Sequence, residues 1–111
     1  MTGVVLPTAI REFVDATNRG DSDAFLEAFS DDPILDDWGR VFVGREGVAA
    51  WNRSDNIGQR SHFEVVGVEA GAEPDSHVVT VRVTGGGYNG TSPITFRLRE
   101  GKIDRLIIAP S

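Results

Sequence analysis

The sequence predicts an α+β fold, with helices from the first half packed on a meander of antiparallel strands from the second. Three observations lead there. Apolar residues between positions 10 and 29 recur at i, i+3 and i+4, the spacing of one helix face. From His77 onward apolar and polar residues alternate, the period of a half-buried strand. Gly, Asn and Pro breaks separate these runs where short elements should end.

Ile10, Phe13, Val14 and Thr17 form the stripe of the first helix. Pro7 suits its first turn, and Asn18-Arg19-Gly20 stops it with Gly just past the end. Asp21 is the predicted N-cap of a second helix, with Asp23 near the positive end of the dipole. Phe25, Ala28 and Phe29 repeat the spacing. Asp32-Pro33 should close this helix, because a residue before proline is pushed out of the α region. Short strands are expected over Ile34 to Trp38 and Val41 to Val43, with a turn at Gly39-Arg40. A third helix should run from about Arg45 to Ser54 with Val48 and Trp51 on one face, followed by a polar loop from Asp55 to Arg60.

The meander begins with a strand from about His62 to Glu69 and turns through 70–76. Its second strand starts at His77, where Val79, Val81 and Val83 alternate with Thr80, Arg82 and Thr84. Gly85-Gly86-Gly87 predicts a bulge or sharp bend, and Asn89-Gly90 a tight hairpin. Thr91 to Arg99 points Ile94, Phe96 and Leu98 inward and Thr95, Arg97 and Arg99 outward. After Glu100-Gly101 the last strand, Lys102 to Ala109, carries contiguous Leu106, Ile107 and Ile108, which predicts cover on both faces. With no repeat, linker or low-complexity segment, residues 1–111 are expected to form one domain.

Composition narrows the function classes. Hydrophobic residues at 40% and charged residues at 25% fit an ordinary globular protein. A net charge of −6 without any basic cluster argues against nucleic acid and against an anionic membrane as partner. The absence of Cys removes thiolate catalysis, disulfides and thiolate metal sites. MTGVVLPT lacks a basic leader, and no apolar run approaches the ~20 residues of a membrane span, so a cytoplasmic protein is expected. The glycines show no phosphate-cradling order, and no cofactor is expected.

Asp36-Asp37 is the strongest candidate for chemistry. Adjacent strand residues point to opposite faces, so one of the two can enter a pocket. Alternation alone does not choose between them. The competing reading is a strand-end aspartate that caps the Gly39 turn or pairs with Arg40. Trp38 and Trp51 could line a pocket by stacking or could fill core. Tyr88 could place a hydroxyl at a pocket mouth or be a half-exposed hairpin aromatic. His62 and His77 each begin a strand after a polar loop, which favours solvent and gives no metal site. His62 stays a candidate acid or base alongside an aspartate. Arg53 could hold an anion or simply complement a helix C-terminus.

NRGDSDAFLEAFSDDP followed by DDWG, then GREGVAAW, and the closing PITFRLREGKIDRL resemble the NTF2-like superfamily, in particular its SnoaL-like and ketosteroid-isomerase-like members. The resemblance spans about residues 8 to 108. It implies a cone-shaped fold, three N-terminal helices packed on a curved antiparallel sheet, with a pocket between them and a carboxylate at its rim. It also implies a homodimer. The family's general-base aspartate falls on Asp37, and its oxyanion-hole tyrosine on Phe13. Its oxyanion-hole acid falls near Ile94 or Thr95. Neither Phe13 nor Ile94 can donate a hydrogen bond, and each missing donor would forfeit about 3 kcal/mol of transition-state stabilisation. An epoxide-hydrolase site would need an Asp-Arg-Asp relay, but alternation puts Arg82 and Arg97 outside the core.

Two functions therefore follow. One is a domain that binds a small hydrophobic molecule, with Phe13, Trp38, Trp51, Tyr88 and Phe96 as contact residues and no complete steroid isomerase site. The other is a cofactor-free cyclase, isomerase, dehydratase or hydrolase that uses Asp37, with His62 as second group, on a polyketide- or terpenoid-like substrate. The polar strand faces carrying Thr80, Arg82, Thr95 and Arg97 are the expected dimer surface.

Overall fold

A computed structural model describes residues 6–108. Three α-helices, α1 (Thr8–Arg19), α2 (Ser22–Glu27) and α3 (Gly44–Asp55), cover a six-stranded sheet. Its strands are β1 (Phe29–Asp37), β2 (Arg40–Val43), β3 (His62–Ala70), β4 (Ser76–Thr84), β5 (Gly90–Arg99) and β6 (Lys102–Ile108). The order across the sheet is β2-β1-β6-β5-β4-β3. No helix among the described residues is long and apolar enough to cross a membrane.

The helix stripe of α1 is buried as its spacing predicts: Ile10, Phe13, Val14 and Thr17 all face the core. Pro7 sits one position earlier than expected, at the N-cap, and Gly20 ends the helix in the left-handed conformation (φ 73°). Asp21 caps α2 by accepting from the Ala24 amide at 3.1 Å. Two side-chain bonds, one buried and one partly buried, tie the helices together. Asn52 donates to Ser22 Oγ at 3.1 Å, and Asn56 donates to Thr17 Oγ1 at 3.0 Å.

Three expectations about the elements need correction. The second helix stops at Glu27, and Phe29 instead opens β1. Tertiary pairing outweighs the local spacing there: Phe29 aligns with Ile103, whose amide bonds the Ala28 carbonyl at 2.9 Å. Pro33, which has no amide to donate, falls where this ladder shifts register. The sheet is mixed, because β1 runs parallel to β6 while every other pair is antiparallel. Side-chain alternation reports which face a residue occupies and carries no information on strand direction. Nor do all three helices precede the strands, since α3 follows β2.

The turn details also moved. Asp37 pairs with Arg40, so the turn is Trp38-Gly39, with positive φ at both residues (54° and 88°). Of the bulge or sharp bend expected at the glycine triplet, the bend is the one present. It forms a loop between β4 and β5, closed by the Asn89 side chain on Gly85 and Gly87. A Cβ on Gly85 would lie 2.7 Å from the Arg60 carbonyl oxygen, so that approach requires glycine. Asn89-Gly90 is accordingly no tight turn, because Gly90 already pairs with Val83.

Phe13 is the centre of the core. Its ring lies 5.3 Å from Phe25, 6.1 Å from Phe29, 5.5 Å from Phe63 and 5.3 Å from Phe96. It is fully buried. This packing yields a direct test of the missing isomerase tyrosine. Phe13→Tyr should bury a hydroxyl among apolar rings and lower stability by about 1–3 kcal/mol, read from the urea midpoint. An unchanged midpoint would mean the ring edge reaches a polar partner.

Candidate functional site

One end of β1 meets the last turn of α3 at a cavity of about 490 Å³. Trp51, Phe63, Val83, Ile94 and Ile108 supply its apolar walls. Polar groups gather at one side, on Asp37, Arg40, Ser54, Asp55 and Asn56. Two elements position these groups. The hairpin between β1 and β2 sets Asp37 and Arg40 directly opposite one another. On α3, Trp51 and Asp55 stand four residues apart and so share a face.

The Asp36-Asp37 pair splits its roles. Asp36 Oδ1 accepts from the Gly39 amide at 2.8 Å and caps the turn. Asp37 lines the cavity, its side chain 16% exposed. Both bonds to Asp37 reach the same oxygen: Oδ2 accepts from Arg40 Nη2 at 2.7 Å and from Trp51 Nε1 at 3.0 Å. Among the described residues, Oδ1 of Asp37 accepts no hydrogen bond.

Arg40 Nη2 also donates to Asp55 Oδ1 at 3.0 Å, so one guanidinium bridges two carboxylates. Hydrogen bonds to Asp55 and then to Asp37 hold the Arg40 guanidinium above its ordinary value, outweighing burial. Burial pushes the Asp55 carboxyl up, but hydrogen bonds from Ser54 and Arg40, with the guanidinium charge, hold it below its usual value. The arrangement is a fixed, charged acceptor at the edge of an apolar space.

The other candidates scatter. Trp38 is 58% exposed at the cavity rim, and Tyr88 reaches the same rim from the β4–β5 loop. His62 is exposed at the start of β3 and does not line the cavity. Phe13 and Phe96 are sealed in the core and do not line it either. The structure thus brings Asp37, Trp38, Trp51 and Tyr88 together and separates them from Phe13, His62 and Phe96. Ile94 faces the cavity with no donor, while Thr95 faces a different groove across the sheet. Arg82 pairs with Glu64 at 2.9 Å and Arg97 with Glu73 at 3.6 Å, away from the cavity. Among the described residues, no group of acids and histidines is placed to hold a metal ion.

Asp55 and Asn56 were not singled out from the sequence, whereas Arg40 was expected as a partner of a strand-end aspartate. Both contacts of that competing reading are present: Asp36 caps the Gly39 turn and Asp37 pairs with Arg40. Asp37-Trp38-Gly39-Arg40 held a usable signal: a two-residue turn brings its flanking residues face to face. Asp55 and Asn56 had none, because only the packing of α3 on β1 carries them there.

Residues 10–106 match the profile of the SnoaL-like domain family. This chain belongs to the SnoaL-like domain family. Its fold is that of the NTF2-like polyketide cyclases and ketosteroid isomerases. A protein from Sinorhizobium meliloti named as a candidate polyketide cyclase is 26% identical, with TM-score 0.83, 93% of this chain and 94% of that one being covered. SalBIII, an epoxide hydrolase/cyclase-like enzyme in pyran ring formation of the polyether salinomycin, superposes with TM-score 0.81 at 22% identity over 92% and 87% of the two chains. The Δ5-3-ketosteroid isomerase of a Mycobacterium species does so with TM-score 0.80 at 18% identity over 96% and 95%. The last two likenesses show the shared fold alone. A comparison with curated protein sequences found no match.

The Arg40 bridge of this SnoaL-like domain has a signed pH dependence. Because the Asp55 value is lowered on folding, its contribution is present above the unfolded value of about 3.9 and disappears as pH falls through the folded value. Arg40 is more than half exposed, so screening limits the bridge to about 1 kcal/mol at most. Arg40→Met should therefore cost up to about 1 kcal/mol at pH 7 and progressively less below pH ~4, measured by urea unfolding across pH. A cost that grows on acidification would refute the bridge.

Proposed function

We propose that this domain binds a small, mostly apolar molecule in the cavity at the end of β1, with Asp37 as its polar anchor. The supporting observation is the pairing of an apolar-walled space with a carboxylate whose Oδ2 is held by Arg40 and Trp51 and whose Oδ1 is unspent. A volume of about 490 Å³ falls in the range of small-molecule sites. Neither Phe13 nor Ile94 can complete a steroid isomerase's oxyanion hole, so the proposal does not include that reaction.

Trp38 supports the same reading. A bulky residue at positive φ costs of order 1 kcal/mol, and this one also leaves its ring largely in water. Strain of this kind collects at ligand sites. Trp38→Gly should raise Tm by a few degrees while weakening ligand binding, two effects of opposite benefit that a purely structural Trp38 would not combine. The binding test itself is calorimetry with hydrophobic lactones, sterols and epoxides, repeated on Asp37→Asn. Loss of affinity in the variant is expected, on the order of tenfold. Equal affinity in both proteins would remove Asp37 from the site.

A second reading rests on the Asp37–Arg40–Asp55 bridge. In it the domain is a cofactor-free enzyme, and Asp37 exchanges a proton with a polyketide- or terpenoid-like substrate. Product formation from a bound lactone or epoxide, lost in Asp37→Asn with binding retained, would establish it.

We further propose a homodimer through the sheet face opposite the helices. Val41 and Val43 are exposed there, beside the row that includes Thr95. Arg97 stands on the same face in the row of Val43, and Arg82 and Arg97 are each paired within the chain, with Glu64 and Glu73. Light scattering should give twice the chain mass of 12.0 kDa, and a value of one chain mass would overturn the dimer.

A further inference from the structure

We propose that the cavity selects an apolar skeleton carrying one protonated amine over the same skeleton carrying a hydroxyl or a carboxylate. This rests on the ligand-binding reading above and names the chemical class that the site takes.

Most of the hydrogen-bonding capacity facing the cavity is already committed. Arg40 and Trp51 donate to Asp37. The side chains of Gln59, Ser61, Tyr88 and Ser92 are all directed to backbone carbonyls. Among the described lining residues, the side-chain donor atoms left without a partner are the exposed Trp38 indole and Nε and Nη1 of the half-exposed Arg40 guanidinium. Two acceptors are also unpartnered. Asp37 Oδ1 has no partner, and neither does Oδ1 of Asn56, a lining residue only 1% exposed. The Asn56 amide is fixed by its two donor bonds, to Thr17 Oγ1 and Asn52 Oδ1, so its oxygen is left facing no donor. An unpaired acceptor at the cavity edge is costly, and a donor brought in by a ligand would relieve Asp37 Oδ1.

Charge points the same way. The lining residues include two carboxylates, Asp37 and Asp55, against the single guanidinium of Arg40, and that guanidinium already serves both. Ser54, Asp55 and Asn56 are the C-terminal end of α3, where the helix dipole is negative and favours a cation. Trp38, Trp51 and Tyr88 add aromatic rings, whose faces attract an ammonium group. A carboxylate ligand would meet two like charges against one guanidinium that already neutralises part of both. A hydroxyl would gain the hydrogen bond without the charge.

The test is calorimetry on the full chain at pH 7 with three ligands of one skeleton: 2-naphthylmethylamine, 2-naphthylmethanol and 2-naphthoate. The amine should bind about tenfold tighter than the alcohol, and the carboxylate more weakly than either. Asp37→Asn should weaken the amine about tenfold and the alcohol less than about threefold. If that variant melts early, Trp38→Ala, on an exposed turn, makes the same comparison through loss of a few-fold in amine affinity alone. Alcohol or carboxylate binding as tightly as amine would overturn the amine preference and leave the ligand-binding reading standing. Failure of all three to bind would overturn both.

Discussion

The structure depends on where β1 is held. It lies inside the sheet, antiparallel to β2 on one side and parallel to β6 on the other, so its backbone groups are committed along both edges. That double pairing fixes register, and a slip of one residue would exchange Asp36 with Asp37 between the turn and the cavity. The consequences run straight to the site. Asp37 ends beside Ile108, a wall of the cavity, and the Trp38 amide bonds the Ile108 carbonyl at 2.9 Å. The chain then reverses in two residues and returns Arg40 to face Asp37.

The core and the cavity share walls while remaining distinct. Phe63 lines the cavity on one side and packs 5.5 Å from Phe13 on the other. Trp51 likewise stacks 6.2 Å from Phe25 while its indole nitrogen reaches Asp37. Rings held by the aromatic core therefore orient the polar group at the cavity's edge, which lets a small protein keep an open space without losing rigidity around it. Polar groups collect on one side because a helix C-terminus and a hairpin turn both end there. Elsewhere Phe63, Val83, Ile94 and Ile108 give apolar wall, with Gln59, Ser61, Tyr88 and Ser92 between them.

Much of the fold was legible in local patterns. The Ile10, Phe13, Val14, Thr17 stripe marks α1, and the alternation from Val79 to Val83 and from Ile94 to Leu98 identifies inward faces correctly, since these are properties of one segment and its own period. Phe29 was misread because its helical spacing is genuine but a partner strand far along the chain, at Ile103, decides its conformation. The glycine triplet bends the chain as expected, but between strands and not inside one, because Gly85 is needed for close approach to Arg60, in a different segment. At the site, family resemblance chose Asp37 over Asp36, and the hairpin and cavity place it there. Phe96 and Phe13 look like ligand-contacting residues in sequence because an apolar inward residue carries no mark of whether it meets a ligand or another side chain.

By itself the sequence determined the helix and strand faces, the α+β class, the absence of thiol chemistry and an acidic surface with an aspartate pair at a strand end. These follow from residue types and short-range periodicity. The tertiary structure alone decided the parallel pairing of β1 with β6, the Arg40 bridge to Asp55 and the exposure of His62. It also left the oxygens of Asp37 and Asn56 unpaired at one cavity. Each of these depends on which distant segments meet. Hydrogen-bond partners and charge neighbours are properties of that meeting, and no local period encodes them.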